Sequence, residues 1–433
     1  MIFQLIQSYL KGVLSNEGYK VLLVDDYCLS ILSFIPMSYF LQNNVYNIGK
    51  LPAQTHLSWT AILIIHPSSL PDLIIELQNP HYTQYIVCLV AETTSQWIEQ
   101  IAQADIHERI TQVLEFYMDV LALDDYAFVQ PPKAITSTIG SLLQAFQWSP
   151  VLRGLNMQLP SCSGQPCVIL NLNRSFDFLT PILHSWYYQS MIHDLLGIQN
   201  YKINQPLVSF TNDNFYNQNK FSSFGDIGIK IKEQVTKYQS QYASMSTLNT
   251  LQDIKQFINK YPELKDLQLN VETHVNVMTI LSEIVNKNQL MTIGEVEQSL
   301  ACEDNEEWCA QQIRQLLSTS ICNIDKVRLI LLYALRYNTY VNEFTNSLRQ
   351  LGLEQYMSIV MLMSSNKTPM NLTQQLFKKG QQMMKGLKGI DNVFTQHEPL
   401  VIKLVQDLIK GKLLEQNFPY QQSGQQNLPG VIR

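Results

Sequence analysis

A chain of 433 residues is too long for one compact core, so two or three domains are expected. Apolar residues make up 46% and charged residues 15% of it, a balance that excludes bulk disorder. The net charge of −6 leaves no basic excess to neutralise phosphates, and no Lys/Arg cluster stands out, which argues against a nucleic-acid binder.

From the N-terminus, Ile2, Leu5, Ile6, Tyr9, Leu10 and Val13 recur at amphipathic helical spacing. Gln4, Gln7 and Ser8 interrupt that stretch, so it lacks the unbroken apolar run of a signal peptide. No run approaches the ~18–20 apolar residues of a membrane span. The expectation is a soluble, cytoplasmic protein. Lys20–Asp26, Ala61–His66 and Tyr85–Val90 read as strands, with helices at Ser69–Leu77 and Gln96–Ala104 between them. Such alternation predicts a parallel sheet with helices on its faces. Pro131-Pro132 reads as a linker, because the pair lacks two donors and pushes its neighbour out of helix.

A second α/β piece begins with a strand at Cys167–Leu172 and a turn at Asn173–Asp177. The spacing then predicts a helix over Pro181–Leu196, with Thr180 as N-cap and Gly197 closing it. Residues from about 220 to 418 read as long helices. In Asp325–Tyr337, Val327, Ile330, Leu331 and Ala334 fall on one face. Tyr261-Pro262 is expected to break the early part of this region, and Gly386 and Gly389 to punctuate its end. The cysteines are Cys28, Cys88, Cys162, Cys167, Cys302, Cys309 and Cys322. Their odd number and dispersal suit reduced thiols. Cys162 and Cys167 lack the second pair or nearby His of a zinc site and read as free loop thiols.

Asp25 and Asp26 end a first strand as the acids of a phospho-accepting receiver domain do. The strand that should carry the acceptor aspartate ends in His66 instead, so the pair reads as turn formers. No G-x-S-x-G elbow, P-loop or G-x-G-x-x-G turn occurs in the chain. Gly225 and Gly228 read as a turn before a helix. His184 and His193, nine residues apart on one predicted helix, would face opposite sides. His397 beside Glu398 reads as surface or capping chemistry, and Asp177 as a turn and helix-start residue. No catalytic residue, metal site or cofactor is expected.

Leu170–Gly197, LNLNRSFDFLTPILHSWYYQSMIHDLLG, resembles the segment by which the SM (Sec/Munc) family of SNARE-binding proteins is recognised. Arg174, Asp177, Thr180 and Pro181 match that motif, while Asn173 stands where the family usually has Asp. Phe224–Glu233, Asp253–Leu264, Gly294–Cys302, Ile324–Tyr337 and Lys385–Leu413 resemble later family segments in order, with the endosomal, vacuolar-sorting branch the most similar. The first 130 residues resemble it too, Leu114–Phe128 included. The chain departs in two places: it is short between Arg153 and Gln165, and only thirteen residues follow Tyr420, of which NLPGVIR resembles a later fragment.

The resemblance implies an α/β plus all-α, arch-shaped fold. Residues 1–130 would form an N-terminal parallel α/β domain, and 131–215, with 421–433 as a remnant, a reduced central α/β domain. Residues 216–420 would form a large, mainly helical third domain. The implied function is regulation of vesicle docking and membrane fusion between endosome or trans-Golgi and vacuole or lysosome. Partners would be a syntaxin-type SNARE and the assembled SNARE complex, with an endosomal Rab effector besides. The protein would be a monomer that reaches membranes only through its partners. A syntaxin N-terminal peptide would dock on Val113, Phe116, Tyr117, Val120 and Leu121, whose spacing suggests one helical or near-helical apolar face. Tyr261 and Pro262 would belong to the hairpin lining the SNARE-helix cleft. Two alternatives stand beside this reading: a truncated, non-functional SM-like fragment, and a receiver-like phospho-acceptor enzyme.

Overall fold

A computed structural model of the protein describes residues 2–15, 17–33, 35–53, 57–124, 126–129, 135–160, 162–204, 206–211, 213–245, 251–303, 305–365 and 394–421. Pro131-Pro132, Gly386, Gly389 and the NLPGVIR fragment lie outside them. The chain divides into two compact units, one of Met1–Leu172, Ile198–Ile203 and Leu414–Arg433, the other of Asn173–Gly197 and Asn204–Leu413.

The first unit opens with helix α1 (Ile2–Leu14), strand β1 (Lys20–Val24), α2 (Asp26–Leu32), α3 (Met37–Gln42), β2 (Val45–Lys50) and β3 (Leu57–Ile65). It continues through α4 (Leu70–Gln78), β4 (Tyr82–Leu89), α5 (Ser95–Ala104) and β5 (Ile110–Glu115). The strands form a five-stranded parallel sheet in the order β2-β1-β3-β4-β5. Every residue of β1 is buried, as a strand covered on both faces requires. Side chains alternate between two cores. Leu22, Val24, Ile62, Ile64 and Cys88 pack with Ile2, Ile6, Leu10 and Val13 of α1. Val21, Leu23, Leu63, Ile65 and Val87 pack with Leu73 and Leu77 of α4 and Ile101 of α5. The helices and strands expected up to Val90 are therefore present within a few residues of their anticipated ends.

After a short hairpin of β6 (Leu121–Ala122) and β7 (Phe128–Val129) come α6 (Ile135–Ala145), β8 (Trp148–Gly154) and β9 (Gln165–Asn171). β8 and β9 pair in parallel, although parallel neighbours normally need a crossover of a dozen residues or more. The described part of the connection, 155–160 and 162–164, contains no helix. Its ends are glycines at positive φ, Gly154 at +92° and Gly164 at +156°. A Cβ at Gly164 would stand 1.7 Å from the Gln147 carbonyl oxygen, and one at Gly154 2.3 Å from that of Asn171, so only glycine fits this tight return. Strand β10 (Tyr420–Gln421) pairs antiparallel on the other side of β8. The Arg153 guanidinium holds it there, donating to the Phe418 carbonyl at 3.1 and 2.8 Å and lying 4.4 Å over the Tyr420 ring. All seven cysteines are free, with Cys167 on β9 rather than in a loop.

The second unit is helical: α7 (Tyr188–Leu196), α8 (Asn214–Asn219), α9 (Phe224–Met245), α10 (Leu251–Lys287), α11 (Leu290–Cys302) and α12 (Glu306–Leu317), then α13 (Asn323–Arg336), α14 (Val341–Gln350), α15 (Met357–Ser365) and α16 (Leu400–Ile409). Gly225 and Gly228 lie inside α9 and not in a turn before it. Pro262 does not break the helix either, because α10 runs through it. The roughly 3 kcal/mol cost of an internal proline is offset further along, where His274, Val277, Leu281 and Val285 are buried on one face. Helix α13 is more enclosed than a one-faced helix. Leu329, Leu332 and Tyr333 are buried as well as Val327, Ile330 and Ala334, while Leu331 is only half-buried. Helices α11, α12, α14 and α15 all pack against it. Among the described residues no helix is long and apolar enough to cross a membrane.

Candidate functional site

The segment anticipated as one helix from Pro181 to Leu196 is built differently. A 3-10 turn spans Thr180–Ile182, and α7 starts only at Tyr188. The backbone between them is held extended by competing partners. The His184 amide donates to Glu297 Oε2 at 2.9 Å. The Trp186 carbonyl accepts from Phe224 N–H at 2.9 Å, and Tyr188 N–H donates to the Ser222 carbonyl at 3.0 Å. Thr180 is accordingly not an N-cap. Asp177 does that work, its Oδ1 accepting from the Leu179 and Thr180 amides at 3.1 and 2.9 Å. Gly197 closes α7 as expected, at φ +77°. Arg174 and Pro181 are exposed.

Asp177 also reaches the far end of the unit in sequence. Its Oδ2 accepts from Thr180 Oγ1 at 2.5 Å and from the Leu400 amide at 3.3 Å, and Thr180 Oγ1 lies 2.8 Å from His397 Nε2. His397 is therefore half-buried and engaged rather than free at the surface: burial pulls its pKa down against the pull of Asp177. The order of this chain decides its chemistry. The hydroxyl donates to the carboxylate, so its lone pair is left to accept from His397 Nε2–H. A base for Thr180 would need the opposite polarity. This is a staple between the motif and the start of α16.

His184 is buried and not on α7, whereas His193 is exposed on that helix. Its Nδ1 lies 2.8 Å from Glu297 Oε1, and its Nε2 lies 3.4 Å from Asp325 Oδ1 and 4.0 Å from Asp194 Oδ2. Arg328 clamps Asp194 with two bonds of 2.9 and 2.6 Å. Burial lowers the His184 pKa, but hydrogen bonds to Asp325 and Glu297 outweigh it and push it up to about 9. An imidazolium thus joins the motif segment to α11 and α13. Sequence reasoning missed Glu297 and Asp325; an acid set inside an apolar helical stripe was the available signal. His274 is buried too, 2.9 Å from Tyr188 Oη through Nδ1 and 3.0 Å from Asp213 Oδ2 through Nε2. Tyr188 is fully buried, so its hydroxyl meets no substrate, and burial and the nearby Asp213 charge raise its pKa.

The strand-end acids of the first unit are occupied by the fold. The sheet order places the topological switch point between β1 and β3, where α/β sheets usually bind ligands. Asp25 fills it, its Oδ1 capping Cys28 N–H and its Oδ2 accepting from His66 N–H, both at 2.7 Å. Asp26 instead pairs with Lys50 at the surface. Among the described residues no group of three or more His, Cys, Asp or Glu side chains is placed to hold a metal ion.

The five residues expected on one apolar helical face do not form a helix. Val113 lies on edge strand β5 and is exposed, while Phe116 and Val120 are in the core. The ring of Phe116 stacks on Tyr9 at 4.8 Å. Tyr117 is half-buried and donates to Glu115, and Leu121 opens β6. The 3, 4, 7 and 8 spacing was misleading because a strand end and a tight loop carry these residues. Tyr261 and Pro262 fall within α10.

The model of the Sec1 family matches residues 20–430. This chain belongs to the Sec1 family. Vacuolar protein sorting-associated protein 45 of Rattus norvegicus is 30% identical to it, over 94% of this chain and 83% of the relative. The Saccharomyces cerevisiae protein of that name is 25% identical over the same shares. A solved structure described as the SM protein Vps45 in complex with the Qa SNARE Tlg2 (1-310) is 26% identical, with a TM-score of 0.75, covering 98% of this chain and 88% of that one. The Unc18 and syntaxin 1 complex from Monosiga brevicollis, at 14% identity and a TM-score of 0.71 over 97% and 88%, shares the fold. The sheet and helices of this Sec1-family chain thus follow an α/β plus helical plan that solved SM proteins already display.

Proposed function

We propose that this protein binds a syntaxin-type SNARE and assists assembly of SNARE complexes, regulating vesicle docking and fusion on the endosomal or trans-Golgi route to vacuole or lysosome. The carrying observation is the likeness, over nearly the whole chain, to an SM protein solved with a Qa SNARE. Such work is stoichiometric helix recognition by apolar anchors and needs neither turnover nor cofactor. Membrane association then comes through partners, on the cytoplasmic side of endosome, trans-Golgi or vesicle. On this reading residues 1–130, 131–215 with 421–433, and 216–420 are the three functional domains. The exposed Val113 of β5, with half-buried Tyr117 and Leu121 after it, supplies the accessible part of the N-peptide surface, and the α9–α10 pair carrying Tyr261 and Pro262 faces the SNARE helices.

The test is titration of the purified chain with the cytoplasmic region of a syntaxin-type SNARE from the same cell. Saturation at one SNARE per chain, with both partners recovered unmodified, is expected. Absence of binding to every syntaxin-type SNARE of that cell refutes the proposal.

A further inference from the structure

The first unit carries a row of aromatic rings where its parallel strands begin, at the end of the sheet opposite Asp25 and His66. Tyr19 precedes β1, Tyr46 lies on β2 and Trp59 on β3. Local causes align them. Tyr19 and Trp59 keep the alternation of Val21, Leu23, Ala61 and Leu63, so they share the face that packs against α4 and α5. The register between β1 and β2 slips there: Lys20 pairs with Val45 but Val21 with Asn47. Tyr46 is the extra residue, and such a bulge re-aims its side chain. Its ring meets Tyr19 at 5.4 Å and 70°, and Tyr19 meets Trp59 at 5.5 Å and 42°. Tyr19 is 59% and Tyr46 48% exposed, and Trp59 is half-buried. Lys20 fixes the two turns that lead into the tyrosines, its buried side chain donating to the Gly18 and Asn43 carbonyls at 3.3 Å.

We propose that this row binds a proline-rich segment of a partner protein in the polyproline II conformation. Clustered Tyr and Trp rings supply large, rigid contact area and are the residue types that anchor interfaces. A polyproline II chain advances ~3.1 Å per residue, so each ring-to-ring step spans about two of its residues. Its carbonyls are unpaired within the chain and accept from the Tyr19 and Tyr46 hydroxyls, which have no partner among the described residues. Its backbone is ordered before docking, so little entropy is lost on binding. Charge disfavours the other guests of aromatic clusters. A cationic side chain or choline headgroup would be repelled by the Lys20 ammonium, one residue from Tyr19. The net charge of −6 opposes approach to an anionic membrane leaflet. The row is distinct from the peptide surface proposed at β5, which forms the other edge of the sheet from β2.

The probe is a capped decaproline peptide, titrated into the full chain, with a glycine–serine peptide of equal length as control. Saturable one-to-one binding of decaproline is expected, and none of the control. Tyr19→Ala and Tyr46→Ala should each weaken it roughly tenfold or more, as loss of an aromatic anchor does. Both positions are exposed, so melting temperatures should stay close to that of the natural chain. Tyr46→Phe, which keeps the ring and removes only the hydroxyl, should lose less than Tyr46→Ala, and Val113→Arg on β5 should lose nothing. The assignment is overturned if decaproline does not bind, if the control binds equally well, or if folded Tyr19→Ala and Tyr46→Ala bind undiminished. Loss in the same variants of binding to phosphatidylcholine vesicles, with decaproline inert, would mark a lipid surface instead. Loss of self-association in them would mark a contact between copies, and either result overturns the proposal.

Discussion

Replacing His184 by Gln keeps a donor for Glu297 but removes the charge, and its consequence should depend on pH. His184 sits among Glu297 on α11, Asp325 and Arg328 on α13, and Asp194 on α7. Its folded pKa of about 9 exceeds the unfolded value of ~6.5. Folding therefore takes up protons, and the stability gained is fully present below about pH 6.5 and lost as pH rises through about 9. Linkage puts the contribution at about 3 kcal/mol at pH 6, about 2 at pH 7.5 and under 1 at pH 9. Paired thermal melts of the natural chain and His184→Gln across this range cancel every other titration. For a unit of this size 1 kcal/mol shifts melting by roughly 2–4 °C, so the gap between the two should narrow by roughly 5–10 °C between pH 6 and pH 9. A gap that stays constant, or widens toward pH 9, would refute the imidazolium.

Three further outcomes follow from the geometry of the two units. Phe116→Arg puts a charge into the core beside Tyr9 and should cost at least the ~3–5 kcal/mol of a Phe→Ala truncation, visible as a large drop in melting temperature. Val113→Arg, on an exposed strand position, should stay within about 0.5 kcal/mol of the natural chain yet weaken docking of a syntaxin N-terminal peptide in a pull-down; undiminished docking would remove Val113 from that surface. Asp177→Ala strips acceptors from Leu179, Thr180 and Leu400. It should cost about 3 kcal/mol, given ~1.5–3 for each hydrogen bond to a charged group and incomplete additivity, with faster hydrogen exchange at the Thr180 and Leu400 amides as the readout.

What was legible in the sequence was whatever depends on neighbours along the chain. The apolar runs of β1, β3 and β4 carry their own signal because both faces of the sheet are covered. Alternation with helices then leaves few topologies open. The errors all have distant causes. Residues 183–188 look helical until Ser222, Phe224 and Glu297 offer their backbone better partners. Pro262 should stop a helix, yet burial further along α10 outweighs it. Val113, Phe116 and Val120 have helical spacing by coincidence, because a strand end and a loop bring Phe116 and Val120 inward and leave Val113 outside.

The polar residues repeat this pattern in a way that bears on function. Asp25, His184, His274, Thr180 and His397 are the side chains a search for catalysis would pick, and each is committed within the fold. Asp25 meets two amides, His184 two carboxylates, His274 a tyrosine and an aspartate, and Thr180 the Asp177 and His397 side chains. A group whose donors and acceptors are already paired in the ground state must break those bonds before it can move a proton for a substrate, whereas a scaffold gains stability from keeping them. Polar chemistry here is spent on holding segments far apart in sequence together. On the proposed function, recognition falls to exposed surfaces such as β5, where shape and apolar area, rather than reactive groups, would discriminate between partners.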